Sequence, residues 1–437
     1  MAEETVAKTI PILDFVLCLS EAVDLISKEV SDHHKRTAQI CYSLGLGLGL
    51  PDDELRDLII AAALHDVGGL TRSDRLSALD FEYQDPFGHA IMGYLLLREF
   101  KPFERVANIV RYHHVPWENG DGATFTGEPV PMLSHLLQVA DRVAVLIDPN
   151  VDVLMQAGAI VEKVESQAGS RFVPEHVECL KRFAKIEYFW LDALFTRDVS
   201  ILGKRLSFPE ISLEDEDFLG VTNLFRRIID FRSRFTASHS AGVAAVSGEL
   251  AARSGFSRGD VRVMLLAGLL HDLGKLAIPA EILEKPGKLT EEEFDLMKRH
   301  TYYTFHLLEP LRIMDVIRQW GAFHHERLDG LGYPFHVTSK ELPLGSRIVA
   351  VADVFTALTE DRPYRAGMST TDAYQIIREM VGKGNLDNEV AETLGRDLDV
   401  IDEVRKNAQK SALKEYDEFT LLSEEFSKGW APKSIPS

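Results

Sequence analysis

Apolar residues recur at three- and four-residue spacing along most of this chain, and two-residue alternation is scarce. That period belongs to helices that bury one face. With few turn clusters between the runs, the pattern predicts an all-α protein. Helix starts and stops stand beside the runs. Ser257-x-x-Asp260 precedes the run into His271, and Thr290-x-x-Glu293 precedes the run that carries His300. Both resemble capping boxes. Gly274 and Pro279 end the first run.

The apolar faces also carry residues that a core normally excludes. Asp353 shares a helical face with Val349, Ala352, Thr356 and Ala357, and Asp141 sits likewise beside Leu137, Ala140, Ala144 and Val145. His300 falls on a face with Met297, Thr304 and Leu307. A carboxylate at a core position calls for a cation. In Leu265–Pro279 (LLAGLLHDLGKLAIP) an apolar run arrives at His271 and Asp272 side by side, breaks at Gly274 and continues with Lys275. Neutral imidazole and carboxylate are common ligands of divalent metals.

These residues form an ordered series that occurs twice. The first half reads His34, His65-Asp66-x-Gly68, His89, His113-His114 and Asp141; the second reads His239, His271-Asp272-x-Gly274, His300, His324-His325 and Asp353. The gap from 89 to 113 equals that from 300 to 324, at 24 residues, and 114 to 141 (27) nearly matches 325 to 353 (28). The series takes 10 of the 15 histidines. Any one of them is more often a satisfied core residue than a ligand; as a series they read as a metal site. In the second half, five histidines and two aspartates exceed the needs of one ion. Asp272 is suited to bridge two, and a two-metal centre activates water for in-line attack on phosphorus. His33, His135, His176, His306 and His336 fall outside the pattern and read as structural.

Length and charge narrow the rest. The 437 residues suffice for two or three cores. The repeat predicts one domain over 1–200, a linker over 201–220 centred on the acidic Ser207–Phe218, and a second domain over 221–437. From Gln409 the chain turns charged, which predicts a last helix and a frayed end. A formal net charge of −20 disfavours a partner such as duplex nucleic acid. The three cysteines are widely spaced and offer neither a disulfide framework nor a thiolate metal site. No apolar run reaches membrane-spanning length and the N-terminus is unlike a signal peptide, so a cytoplasmic protein without a membrane partner is expected.

His271-Asp272-Leu273-Gly274-Lys275, followed by His324-His325-Glu326-x-x-Asp329-Gly330-x-Gly332-Tyr333-Pro334, resembles the HD-GYP family of bacterial metal-dependent cyclic-dinucleotide phosphodiesterases. The resemblance covers about residues 221–400 and includes Arg362-Pro363-Tyr364-Arg365 after Asp353. It implies two tandem HD-type helical domains. It implies one ion held by His239, His271, Asp272 and Asp353, and another by Asp272, His300, His324 and His325. Lys275 would contact the scissile phosphate or position the attacking hydroxide, and Tyr333, Arg362 and Arg365 would contact the ligand. Mixed imidazole and carboxylate ligation suits iron or manganese. Some family members hold a third ion through a glutamate and an aspartate; those places are Phe235 and Thr356 here, so two divalent ions are expected. The first half resembles the wider HD superfamily. Its candidate metal ligands are His34, His65, Asp66, His89, His113, His114 and Asp141, but Gly69 replaces the lysine and no Gly-Tyr-Pro or Arg-Pro-Tyr follows. A regulatory role, hydrolysis of another nucleotide and a structural relic stay open for it; Arg142, Lys35 and Arg36 are alternative phosphate grips.

The implied activity is hydrolysis of cyclic di-GMP to a linear dinucleotide, with further cleavage to GMP left open. The alternatives are a preference for 3′,3′-cyclic GMP-AMP and a non-catalytic cyclic-dinucleotide sensor. A homodimer and a signalling partner acting through the first half are compatible with this reading.

Overall fold

The structure, a computed structural model, describes residues 9–25, 32–69, 87–195, 205–212, 216–231, 234–283, 285, 287–309, 311, 315–361 and 366–429. The described chain is helical, with two short antiparallel ribbons. Its described residues divide into two compact units, 9–224 with 419–429, and 225–418.

The first unit opens with β1 (Thr9–Pro11), then α1 (Ile12–Asp24), α2 (His33–Gly47), α3 (Asp52–Leu64), α4 (Phe87–Leu97) and α5 (Glu104–Arg111). A ribbon of β2 (Thr124–Phe125) and β3 (Glu128–Pro129) leads to α6 (Met132–Leu146), α7 (Val153–Glu165), α8 (Pro174–Phe183) and α9 (Glu187–Phe195). Helix α2 packs on α3 and α6, and α4 on α5. Phe15, Leu19, Ile40, Leu44 and Phe103 are among the fully buried side chains of this unit. β4 (Glu210–Ser212) returns to pair with β1. The stretch expected to be an acidic linker therefore carries this strand, and α10 (Glu216–Asp230) starts within it. A three-residue strand is too short to leave a periodic signal.

The second unit contains α11 (Arg234–Arg253), α12 (Arg258–Leu270), α13 (Ala280–Leu283), α14 (Glu291–Leu307), α15 (Asp315–Ala322), α16 (Leu344–Thr359), α17 (Thr370–Gly382) and α18 (Asn388–Arg396). α19 runs from Leu398 to Gly429 as one helix. Both predicted starts hold. Ser257 Oγ accepts from Asp260 N, and Thr290 with Glu293 forms a reciprocal capping box. α11 packs on α12 and α16, and α12 on α15. With α14, which packs on α15, this places the ends or inner faces of five helices around one point.

Gly274 explains the third letter of the repeated motif. A Cβ there would lie 2.0 Å from His300 O, so only glycine lets the 3-10 turn Leu273–Ala277 press against α14. Its N–H donates to Thr304 Oγ1, which donates to His271 O. In the first unit a Cβ on Gly68 would lie 2.1 Å from His89 O, the same close approach.

Candidate metal centre

In the second unit, α11 supplies His239, the end of α12 supplies His271, and Asp272 follows at once. α14 supplies His300, the turn after α15 supplies His324 and His325, and α16 supplies Asp353. All seven expected donors converge. His239 Nε2 lies 3.1 Å from Asp353 Oδ1 and 3.9 Å from Asp272 Oδ2. His271 Nε2 is 3.0 Å from Asp272 Oδ2. On the other oxygen, His300 Nε2 is 3.4 Å and His324 Nε2 3.9 Å from Asp272 Oδ1. The His325 ring lies 5.2 Å from that of His300, centroid to centroid. Three triads, His239–His271–Asp353, His271–Asp272–His324 and His300–His324–His325, each bring their donor atoms within 4.8 Å of one another.

The outer ring nitrogens settle which atoms face inwards. Nδ1 of His271, His300 and His324 donates to Gly268 O, Met297 O and Gly321 O, at 2.7, 2.6 and 2.6 Å. Each ring therefore turns a bare Nε2 towards Asp272. Those three Nε2 atoms and Asp272 Oδ1 are buried without a hydrogen-bond partner. Leaving four such groups unpaired is costly, and divalent cations satisfy them; the donor set fits.

Charge at the centre is strongly organised. Burial opposes the Asp272 carboxylate, yet His271, Lys275 and His300 hold its pKa well below the usual range. Burial also pushes His300 down to about 3 and His325 down to about 4, so both rings are neutral at pH 7. His239 goes the other way. Burial opposes its charge, but Glu360 and Asp353 carry it up to about 10. Lys275 Nζ donates to Asp272 Oδ2 at 2.5 Å from a half-buried position.

The long second motif builds a loop. Glu326 is buried and accepts from Phe335 N and His336 N. Tyr333 N donates to His325 O, which sets the Tyr333 ring 4.9 Å from the His325 ring. Arg362 and Arg365 lie outside the described residues, as do the first residues of the chain. Thr356 is buried in α16.

The first unit repeats the arrangement with one change. His33 Nε2 lies 3.2 Å from both Asp141 Oδ1 and His65 Nε2. His65 and His89 approach opposite oxygens of Asp66, at 3.5 and 3.3 Å, and His114 and His113 follow at 3.0 and 3.4 Å from His89. His34, the residue expected in the first position, is buried beside them, but its Nδ1 meets Asp24 and its Nε2 is 3.8 Å from Asp66. His33 is thus the counterpart of His239. The signal was available: 33 to 65 spans 32 residues, as does 239 to 271. The alternative phosphate grips are spent internally. Arg142 is buried against Asp141, Lys35 pairs with Glu21, and Arg36 donates to Ala144 O. Sequence reasoning also missed Glu360, whose two oxygens lie 3.1 Å from His239 Nδ1. Nothing in the spacing of the repeat points to it.

Family models described as HD domain match residues 30–146 and 223–390. The chain is 30% identical to the 3′3′-cGAMP-specific phosphodiesterase 1 of Vibrio cholerae serotype O1, over 87% of this chain and 90% of that protein. It is 27% identical to the 3′3′-cGAMP-specific phosphodiesterase 3 of that organism, over 85% of this chain and 91% of the relative. A cyclic di-GMP phosphodiesterase of Thermotoga maritima is 40% identical over 40% of this chain and 48% of its own. Among solved structures, the V. cholerae cyclic GMP-AMP phosphodiesterase V-cGAP3 shares the fold, with a TM-score of 0.61 at 23% identity over 90% of this chain and 98% of that one.

Proposed function

The chain belongs to the HD-domain family of cyclic-dinucleotide phosphodiesterases, and from that premise we propose that its second unit hydrolyses a 3′–5′ bond of cyclic di-GMP to give the linear dinucleotide. The convergence of bare Nε2 atoms on the two oxygens of Asp272 carries this reading. His239, His271, Asp272 and Asp353 would hold one divalent ion; Asp272, His300, His324 and His325 would hold the other. Iron or manganese fits this mixture of nitrogen and oxygen donors better than a thiolate-seeking metal. Such a pair supplies an activated water and neutralises charge at phosphorus.

The chain's own groups do the rest. Asp272 keeps its charge and orients both halves of the donor set. Lys275, which bonds Asp272 here, is placed to swing to a phosphate oxygen and offset the charge that builds there. Tyr333, beside His325, would pack against the ligand, and Arg362 and Arg365 would fork onto its phosphates or guanine edges. Phe235 and Thr356 stand where a third ion would need carboxylates, which supports two ions. We assign a regulatory, metal-binding role to the first unit, through His33, His65, Asp66, His89, His113, His114 and Asp141 with His34 alongside. It has the donors but lacks counterparts of Lys275 and Tyr333.

A second reading takes 3′,3′-cyclic GMP-AMP as substrate. The observation behind it is that the two relatives matched along both units are specific for that molecule. The test is product analysis with anaerobically purified protein, loaded with iron or manganese, on both dinucleotides. Faster turnover of cyclic di-GMP supports the first reading and faster turnover of the mixed dinucleotide the second. Turnover of neither, with the metals bound, would leave a sensor.

A further inference from the structure

We propose that Glu360 is a positioning residue of the metal centre: its carboxylate fixes His239 as an Nε2 ligand, and α19 holds that carboxylate in place. The inference rests on the reading that His239 binds metal. Glu360 is buried and follows the last turn of α16, seven residues after Asp353. Both of its oxygens lie 3.1 Å from His239 Nδ1, on the side of the ring opposite Asp353 and Asp272. A carboxylate only accepts hydrogen bonds. The ring must therefore donate from Nδ1, so Nε2, aimed at the centre, is the nitrogen that can exchange its proton for a cation. His271, His300 and His324 reach the same tautomer through a carbonyl three residues back. His239 reaches it through a charged side chain, which also makes its imidazole a stronger donor to a cation.

The carboxylate is itself oriented by a directional chain. Gln409 Nε2 donates to Glu360 Oε2 at 3.2 Å. Arg405 donates to Gln409 Oε1 and, at 2.9 Å, to Asp402 Oδ1. Arginine stays protonated, so its N–H must face the amide oxygen, and the amide NH₂ must face Glu360. Gln409, Arg405 and Asp402 are all buried on one side of α19. A free carboxylate at this point would pull His239 out of line or compete for the ion. A clamped one does neither. Glu360 also immediately precedes Asp361-Arg362-Pro363-Tyr364-Arg365 in the sequence.

The test uses the full-length protein stripped of metal and titrated with Mn²⁺, with free Mn²⁺ read by electron paramagnetic resonance. The sites lost in His239→Ala define the centre. Glu360→Ala should weaken those sites about 10–100-fold. Glu360→Gln should stay within a few-fold of the parent, because an amide oxygen still accepts from Nδ1. A purely structural role would make both variants equal. Parental affinity in Glu360→Ala, or an equal loss in Glu360→Gln, overturns the proposal. If Glu360→Ala does not fold, Gln409→Ala is titrated instead; weaker binding supports the clamp and parental affinity overturns it. If His239→Ala itself removes no site, the metal reading has failed and not this inference alone.

Discussion

Asp272 presents one oxygen to His271 and Lys275 and the other to His300 and His324. Asp272→Ala should therefore abolish hydrolysis and remove metal from the second unit together, as read by elemental analysis beside an activity assay. Lys275→Ala separates the two. It is expected to keep the metals and lose about 10²–10³ in rate, and an equal fall in metal content would make the lysine structural. A pH effect follows from His239. Its pKa of about 10 means that the metal-free ring is charged at neutral pH. A metal on Nε2 must displace that proton, so each chain should release about one proton from this ring on loading at pH 7, and affinity should rise with pH until about 10. His300 and His325, already neutral, contribute no release. Titration calorimetry in buffers of different ionisation enthalpy measures the count, and His239→Ala should remove this contribution.

The turn Leu273–Ala277 is held against α14 by the absence of a side chain at Gly274. In Gly274→Ala a methyl group would meet His300 O, and the turn or the helix must move. The expected cost is about 1–3 kcal/mol, with metal lost from the second unit because His271, Asp272 and His300 separate. Thermal unfolding and metal content check both effects. Thr290→Ala tests the other end of α14. Losing that cap should cost about 1 kcal/mol, seen in denaturant unfolding, and leave the rate unchanged, because His300 lies nearly three turns inside the helix.

Across the whole molecule, the two units carry nearly the same donors with different surroundings. In the first, His33, His34, His65, Asp66, His89, His113, His114 and Asp141 are all buried, and Arg142 neutralises Asp141 from within. In the second, His325 and Asp353 are only half-buried and Lys275 reaches the surface. A full-length protein carrying His65→Ala and Asp66→Ala should lose metal from the first unit and still cleave the dinucleotide. One carrying Asp272→Ala should retain the first unit's metal without any such turnover. Hydrolysis surviving in the second variant would place chemistry in the first unit.

By itself the sequence determined the helices, their caps and the repeat. These depend on local period and on the chemistry of single positions, as at Thr290, Gly274 and the aspartates on apolar faces. It also set seven candidate donors of the second unit in one ordered series, because a metal would restrict its ligands to a few residue types at fixed places on helices. Only the tertiary structure chose between His33 and His34. Adjacent residues on a helix point about 100° apart, and the packing of α2 against α3 and α6 decides which ring meets Asp141. The strand at Glu210–Ser212 exists only through its partner at Thr9–Pro11. Glu360 and Gln409, 49 residues apart, meet only where α19 packs. Contacts of that kind arise from the three-dimensional meeting of separate helices, and no spacing along one chain records them.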